Sequence, residues 1–187
     1  MGTRFDIIST PIEGLKLLKR IPFNDMRGYL ERLFCEEELS SILNGRHIMQ
    51  INHTYTLTRC AVRGLHFQYP PYAEMKFVSC IRGKVFDVAV DIRKGSSTFL
   101  KWHAEILTLS DYNTFVIPEG FAHGFQTLTE DCELLYLHTA PYNKDAESAL
   151  NALDQRLEIT WPLPILQISE RDSSHPFISP SFEGIAL

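Results

Sequence analysis

The segment Val85-Phe86-Asp87-Val88-Ala89-Val90-Asp91-Ile92 alternates without a break. Successive side chains on a strand point to opposite faces. Phe86, Val88, Val90 and Ile92 therefore share one face, and Asp87, Ala89 and Asp91 share the other. An acidic face on so apolar a strand requires either solvent or a polar lumen. Turn signals recur on both sides, at Arg82-Gly83-Lys84, Lys94-Gly95-Ser96-Ser97, Ser110-Asp111 and Pro118-Glu119-Gly120. Strands spaced this closely predict a sandwich or barrel over residues 75–139 instead of βαβ units.

The flanks are less regular. Residues 1–34 carry short apolar runs split by Asn24-Asp25-Met26-Arg27-Gly28. Glu36-Glu37-Glu38 followed by Leu39, Ile42 and Leu43 predicts a short helix, with the acids at its N-terminus and Asn44-Gly45 as its stop. A second short helix is expected over 146–156, and the Pro- and Ser-rich tail from 161 to 187 is expected to wrap the surface. The chain has 187 residues, 44% of them hydrophobic, which suits one domain with its own core. A net charge of −5 and the lack of a Lys/Arg-rich run argue against general binding to nucleic acid or a membrane surface. No apolar window reaches the roughly 18 residues of a membrane span. The first residues, Met1-Gly2-Thr3-Arg4-Phe5-Asp6, have no charged-then-apolar leader pattern. Cys35, Cys60, Cys80 and Cys132 are scattered with no CxxC pair, so reduced thiols and a cytoplasmic location are the expectation.

Two segments carry the chemistry. In Arg63-Gly64-Leu65-His66-Phe67-Gln68-Tyr69-Pro70-Pro71 and in Ile117-Pro118-Glu119-Gly120-Phe121-Ala122-His123-Gly124-Phe125, a histidine sits in a strand-forming run bounded by Gly or Pro. Gln68, two residues after His66, shares its face. Lys76 follows, flanked by Met75 and Phe77. A histidine takes a proton near neutral pH. A lysine inside a barrel stabilises a developing oxyanion, and an arginine grips a phosphate through two hydrogen bonds. Together these fit proton abstraction beside a carbonyl on a phosphorylated substrate. On spacing alone, a satisfied core histidine with two surface cations is the competing reading.

The ordered set Arg63-Gly64-Leu65-His66-Phe67-Gln68, Pro70-Pro71, Lys76, Gly83 through Arg93, Ser97-Thr98-Phe99, Trp102, Ile117 through Phe125, Leu135-Tyr136, Tyr142, Ile159-Thr160-Trp161-Pro162 and Ser169-Glu170-Arg171-Asp172 resembles the signature of the dTDP-4-dehydrorhamnose 3,5-epimerase family, the RmlC-like cupins. The resemblance implies a mostly β fold, a cupin or double-stranded β-helix jelly-roll barrel with short flanking helices, as one domain over residues 1–187. It implies that residues 1–50 are exchanged in a homodimer. It also implies a cofactor-free isomerase that uses no metal and inverts C3, C5 or both of a nucleoside-diphosphate 4-keto-6-deoxy sugar, for carbohydrate biosynthesis, with neither nucleic acid nor membrane as a partner. By the same resemblance His66 is the general base and Asp172 its orienting partner. Tyr136 is the acid on the opposite face, and Lys76 stabilises the enolate. Tyr142 lines the sugar pocket. Arg63, Gln50, Asn52, His123, Glu147 and Arg171 match substrate-contacting positions, and Arg27 matches an arginine that reaches the neighbouring subunit's nucleotide.

The chain departs from that pattern in places. Arg32 stands where the family usually has a carboxylate, and Glu74 replaces a common Gln just before Lys76. Arg171 stands where Lys is usual, and Ala152-Leu153-Asp154 replaces a Trp-Asn-Asp. The first two changes lead to the expectation that CDP or GDP binds more tightly than dTDP, with an Arg32 turned to solvent and dTDP preferred as the alternative. A second class of function is a metal-dependent cupin oxygenase or isomerase, with His66, Glu74 and His123 as ligands and Gln68 in place of a fourth. His47, His53, His103, His138 and His175 read as ordinary surface or satisfied histidines.

Overall fold

The computed structural model describes residues 3–187. Among them the chain forms β1 (Phe5–Ser9), β2 (Lys16–Arg20), β3 (Phe23–Asp25), β4 (Gly28–Leu30), α1 (Ser40–Leu43), β5 (Gln50–Thr56), β6 (Ala61–Gln68) and β7 (Lys76–Arg82). It continues through β8 (Lys84–Asp91), β9 (Trp102–Thr108), β10 (Asn113–Ile117), β11 (Phe121–Thr127), β12 (Cys132–His138), β13 (Glu147–Ala149), β14 (Gln167–Ile168) and α2 (Glu170–Ser173). The strands make two facing sheets, in the orders β1-β2-β10-β7-β12-β5 and β13-β6-β11-β8-β9, with β14 added parallel to β6. β3 and β4 form a separate hairpin. This is the mostly β cupin barrel that the turn spacing and the resemblance led us to expect.

The alternation in β8 explains the layering. Its Val88, Val90 and Ile92 pack outward into a cluster with Val62, Leu65 and Phe67, covered by Trp161, Ile165, Ile178 and Ile185 of the tail. Its other face looks inward, where Ala89 joins Phe115, Phe121, Phe125, Leu134 and Tyr136 between the sheets. A third cluster, with Phe77, Val116 and Leu137, lies on the outer face of the first sheet under Leu39 and Leu43. Each sheet is thus buried on both faces along much of its width. A wall buried on both faces is held by packing from two sides, which suits a site that must keep its geometry.

The two inward acids of β8 are fully buried and satisfied differently. Asp91 accepts from Arg93 Nε at 2.9 Å and Nη2 at 2.7 Å, and from Ser96 and Thr98 hydroxyls at 2.6 Å each. It pins the turn at 94–97. Burial alone would raise its pKa, yet these donors hold the carboxyl below the usual carboxylate range. Asp87 pairs with His123 inside the lumen, as described below.

Two local expectations change. The helix after Glu36-Glu37-Glu38 begins only at Ser40, so the acids sit in the preceding turns and none lies in its first turn. Asn44 does end it, in the left-handed conformation with its N–H on Ser40 O. Residues 146–156 are not helical: Glu147, Ser148 and Ala149 pair with Gln68, Phe67 and His66 as an edge strand, and turns follow. The open edge of β6 supplies a ladder whose hydrogen bonds outweigh the weak helical preference of so short a segment.

Candidate active site

The site begins with an irregularity in β6. Across from β11, His123 pairs with His66 but Phe125 pairs with Arg63, so two residues of β11 span three of β6. Arg63 and His66 would face opposite ways on a regular strand. The bulge turns both into one cavity. Gly64 makes this possible. Its φ is +123°, and a Cβ there would stand 2.5 Å from Gly124 Cα and 2.7 Å from His123 O, both backbone atoms. Its N–H turns away from β11 and donates to Asp172 Oδ2 at 3.2 Å.

That contact ties the bulge to the tail. Ser169 caps α2 by accepting from Asp172 N at 3.0 Å, which fixes Asp172 on the first turn. Asp172 Oδ1 then accepts from His66 Nε2 at 2.8 Å. Burial disfavours the charged carboxylate, but the hydrogen bond and charge of His66 and the Gly64 and Ser169 donors hold its pKa below the usual range. An ionised Asp172 keeps the His66 proton on Nε2, so Nδ1 carries the free lone pair, the tautomer a base needs. Asp172 is thus both the third residue of α2 and the partner of His66.

Lys76 enters from β7. Its ammonium donates to His66 O at 3.1 Å and pairs with Glu74 Oε1 at 3.0 Å. Glu74 Oε2 accepts from Gln68 Nε2 at 2.6 Å, and Gln68 Oε1 accepts from Asn143 N at 2.6 Å. Glu74 therefore holds Lys76, with both oxygens engaged.

Tyr136 comes from β12, on the opposite sheet from His66, and lines the same cavity. Its ring meets His123 edge-on at 5.9 Å and stacks on His138 at 6.1 Å with an 18° interplanar angle. Burial, and next the nearby Asp87, push the phenol pKa up, so it stays protonated at neutral pH. His123 Nε2 bonds Asp87 Oδ1 at 2.8 Å in the barrel interior, and burial raises the Asp87 pKa.

Gln50, Asn52, Tyr142 and Glu147 complete the wall. Tyr142 Oη donates to Glu147 Oε2 at 2.9 Å, and Arg171 pairs with the same oxygen at 2.6 Å. Arg171 and Asp172 lie in an adjoining cleft that shares Arg63 and His66 with the main cavity. Of the predicted site residues, Arg27 alone stands apart: it is exposed at the tip of the β3–β4 hairpin, paired with Asp25 at 2.6 Å. Arg32 is likewise outside the cavity, paired with Glu38.

His138, which reads as an ordinary histidine in the sequence, lines the cavity. Its spacing of two from Tyr136 on one strand was the signal, since such residues share a face. The residues of the metal-ligand reading are engaged with protein partners. His66 Nε2 is committed to Asp172, His123 Nε2 to Asp87, and Glu74 to Lys76 and Gln68. Among the described residues no group of three or more His, Cys, Asp or Glu is arranged to hold a metal ion.

A model of the dTDP-4-dehydrorhamnose 3,5-epimerase family matches residues 9–179. The dTDP-4-dehydrorhamnose 3,5-epimerase of Sinorhizobium fredii is 38% identical over 179 residues, 94% of this chain and 92% of that protein. The crystal structure of the enzyme of that name from Elizabethkingia anophelis superposes with a TM-score of 0.90 at 32% identity, over 96% of this chain and 100% of that one. The dTDP-6-deoxy-D-glucose-3,5-epimerase of Legionella pneumophila, in complex with dTDP-4-keto-L-rhamnose, gives 0.88 at 35% identity over 92% of each chain.

Proposed function

The chain belongs to the dTDP-4-dehydrorhamnose 3,5-epimerase family, and from that premise we propose that this nucleotide-sugar epimerase inverts C3 and C5 of a dTDP-linked 4-keto-6-deoxyhexose. The observation that carries the reading is that a histidine with a free Nδ1 and a protonated tyrosine approach one cavity from opposite sheets. Inversion needs a base on one face of the sugar ring and an acid on the other, held in place before the reaction.

His66 Nδ1 takes the proton from C3 or C5. The C–H electron pair moves into the new C=C bond, and the carbonyl pair moves onto O4, where the Lys76 ammonium stabilises the enolate. Tyr136 delivers its proton to the opposite face of the same carbon. The imidazolium then returns its proton to solvent and the phenolate regains one. Asp172 stabilises the imidazolium that forms in between. Arg63, with Arg171 in the adjoining cleft, suits the diphosphate. The dTDP assignment follows the relatives, whose names carry dTDP, and takes Arg32, paired with Glu38, as the surface alternative to a nucleotide switch.

The test is incubation in D₂O with dTDP-, CDP- and GDP-linked 4-keto-6-deoxyhexoses, followed by counting deuterium at each carbon. Deuterium at both C3 and C5 of the dTDP sugar, with epimer formed, is the expected result. Label at one carbon only would make the enzyme a mono-epimerase, and faster labelling of the CDP or GDP sugar would overturn the nucleotide assignment.

The working unit is a homodimer in which the N-terminal segment, residues 1–50, reaches the partner. Phe23, Met26 and Leu30 are exposed on the β3–β4 hairpin, and Met49, Ile51 and Leu57 are exposed at and beside the open edge strand β5. Apolar side chains on a free sheet edge favour pairing with another chain. In the dimer Arg27 contacts the partner's nucleotide. Sedimentation at micromolar concentration should give about twice the 21.5 kDa chain mass, and Arg27→Ala should raise KM more than it lowers kcat. A fully active monomer would refute the exchange. The described residues contain no helix long and apolar enough to cross a membrane.

A further inference from the structure

A chain of hydrogen bonds fixes the protonation of His138. The backbone N–H of Tyr142 donates to Gln50 Oε1 at 2.9 Å, so the other end of that amide is Nε2. Gln50 Nε2 donates to Asn52 Oδ1 at 3.1 Å, which fixes Asn52 in turn. Asn52 Nδ2 is then the group facing His138 Nε2, at 3.4 Å. An amide N–H can meet Nε2 only if that nitrogen is an acceptor. The ring must therefore be neutral, with its one proton on Nδ1. Burial, the Lys76 charge and His123 act the same way, holding the His138 pKa down to about 3.

The position of this ring is as informative as its tautomer. His138 is the cross-strand partner of Lys76 in the β12–β7 ladder and shares the inner face with Tyr136, on which it stacks. It stands beside both the proposed enolate-stabilising lysine and the proposed acid. Its Nε2 is taken by Asn52, and among the described residues Nδ1 has no protein partner on a ring that lines the cavity. A neutral imidazole presented this way is an N–H donor that carries no charge and cannot compete with His66 for the substrate proton.

We propose that His138 is a further catalytic residue, donating its Nδ1–H to the keto oxygen of the bound sugar and sharing the developing enolate charge with Lys76. The proposal rests on the epimerase reading above. A donor that is neutral at every working pH adds stabilisation to the oxyanion without a second cation beside Lys76, whose charge is already countered by Glu74. Gln50 and Asn52 are then positioning residues: their amides hold the tautomer.

The experiment compares His138→Phe with His138→Asn. Phenylalanine keeps a ring to stack on Tyr136 and removes the donor. Asparagine keeps an N–H near the place of Nδ1. Removing one oxyanion donor typically costs ~10²–10³ in kcat. His138→Phe should therefore lose about 10²-fold in kcat with KM within threefold of wild type. Solvent exchange at the sugar carbons and epimer formation should fall together, because both pass through the enolate. His138→Asn should recover to within about tenfold of wild type. Circular dichroism and thermal unfolding should show both variants folded. If His138→Phe exchanges and epimerises within threefold of wild type, or if His138→Asn is as impaired as His138→Phe, the donor role is wrong. A wild-type protein that labels no 4-keto sugar nucleotide in D₂O would instead bring down the epimerase reading, and this proposal with it.

Discussion

His66→Ala should lower turnover by about 10²–10⁴-fold, the usual range for losing a general base, while calorimetric titration with dTDP finds the nucleotide affinity little changed. No other group can take over. His123 is bonded to Asp87, and His138 uses its only lone pair on Asn52. The proposed phosphate contacts are Arg63 and Arg171, which the variant leaves in place. The His66 side chain is 34% exposed, and its removal opens no large interior cavity. Thermal unfolding should therefore stay within a few degrees of wild type. A variant that keeps more than a tenth of the wild-type rate would mean that the base is another residue.

Tyr136→Phe should separate two events that occur together in the wild-type enzyme. The ring remains, with its stack on His138 and its edge contact with His123, and only the proton donor is lost. His66 can still form the enolate and return the proton to the face it came from. Deuterium from D₂O should enter the sugar within severalfold of the wild-type rate, while epimer formation falls by at least ~10². Mass spectrometry reads the first quantity and proton NMR of the product reads the second. Equal losses in both would mean that the hydroxyl assists enolate formation and is not the acid for the opposite face.

These two variants rest on residues whose strands were legible in the sequence. The period-2 pattern over 85–92 predicted β8 and its two faces, and the polar face proved to look into a lumen, where Asp87 meets His123. The turn signals marked the ends of β7 through β10. Other features needed three dimensions. The period of two argues that Arg63 and His66 diverge. Only the bulge at Gly64, set by the close passage of Gly124, brings them together. Residues 146–156 failed as a helix because an open sheet edge was waiting for them, which no local propensity reports. His138, a histidine two residues from a strand tyrosine, carries no distinguishing local signal. Its meaning lies in Gln50 and Asn52, on a strand far away in sequence. Arg32, a charge reversal against the family pattern, pairs locally with Glu38, a contact the sequence spacing does not single out.

The carboxylate bonded to His66, the proposed base, comes from a different part of the chain than His66 itself. Asp172 sits on a single helical turn, held by the short strand β14, the Ser169 cap and the Asn151 amide, which donates to Ser173 O and His175 O. The barrel strands are locked by packing on both faces, so the two parts differ in how easily they open. Short, marginally anchored segments fluctuate away from the native state far more often than the core does. The turn that carries Asp172 can therefore loosen while the barrel and the tail residues packed on it stay folded, and each such event takes the partner off His66 and frees its tautomer. Warming or mild denaturant should silence the enzyme before its secondary structure melts. Activity would then report the opening of the last α-turn, and spectroscopy the fate of the sheets.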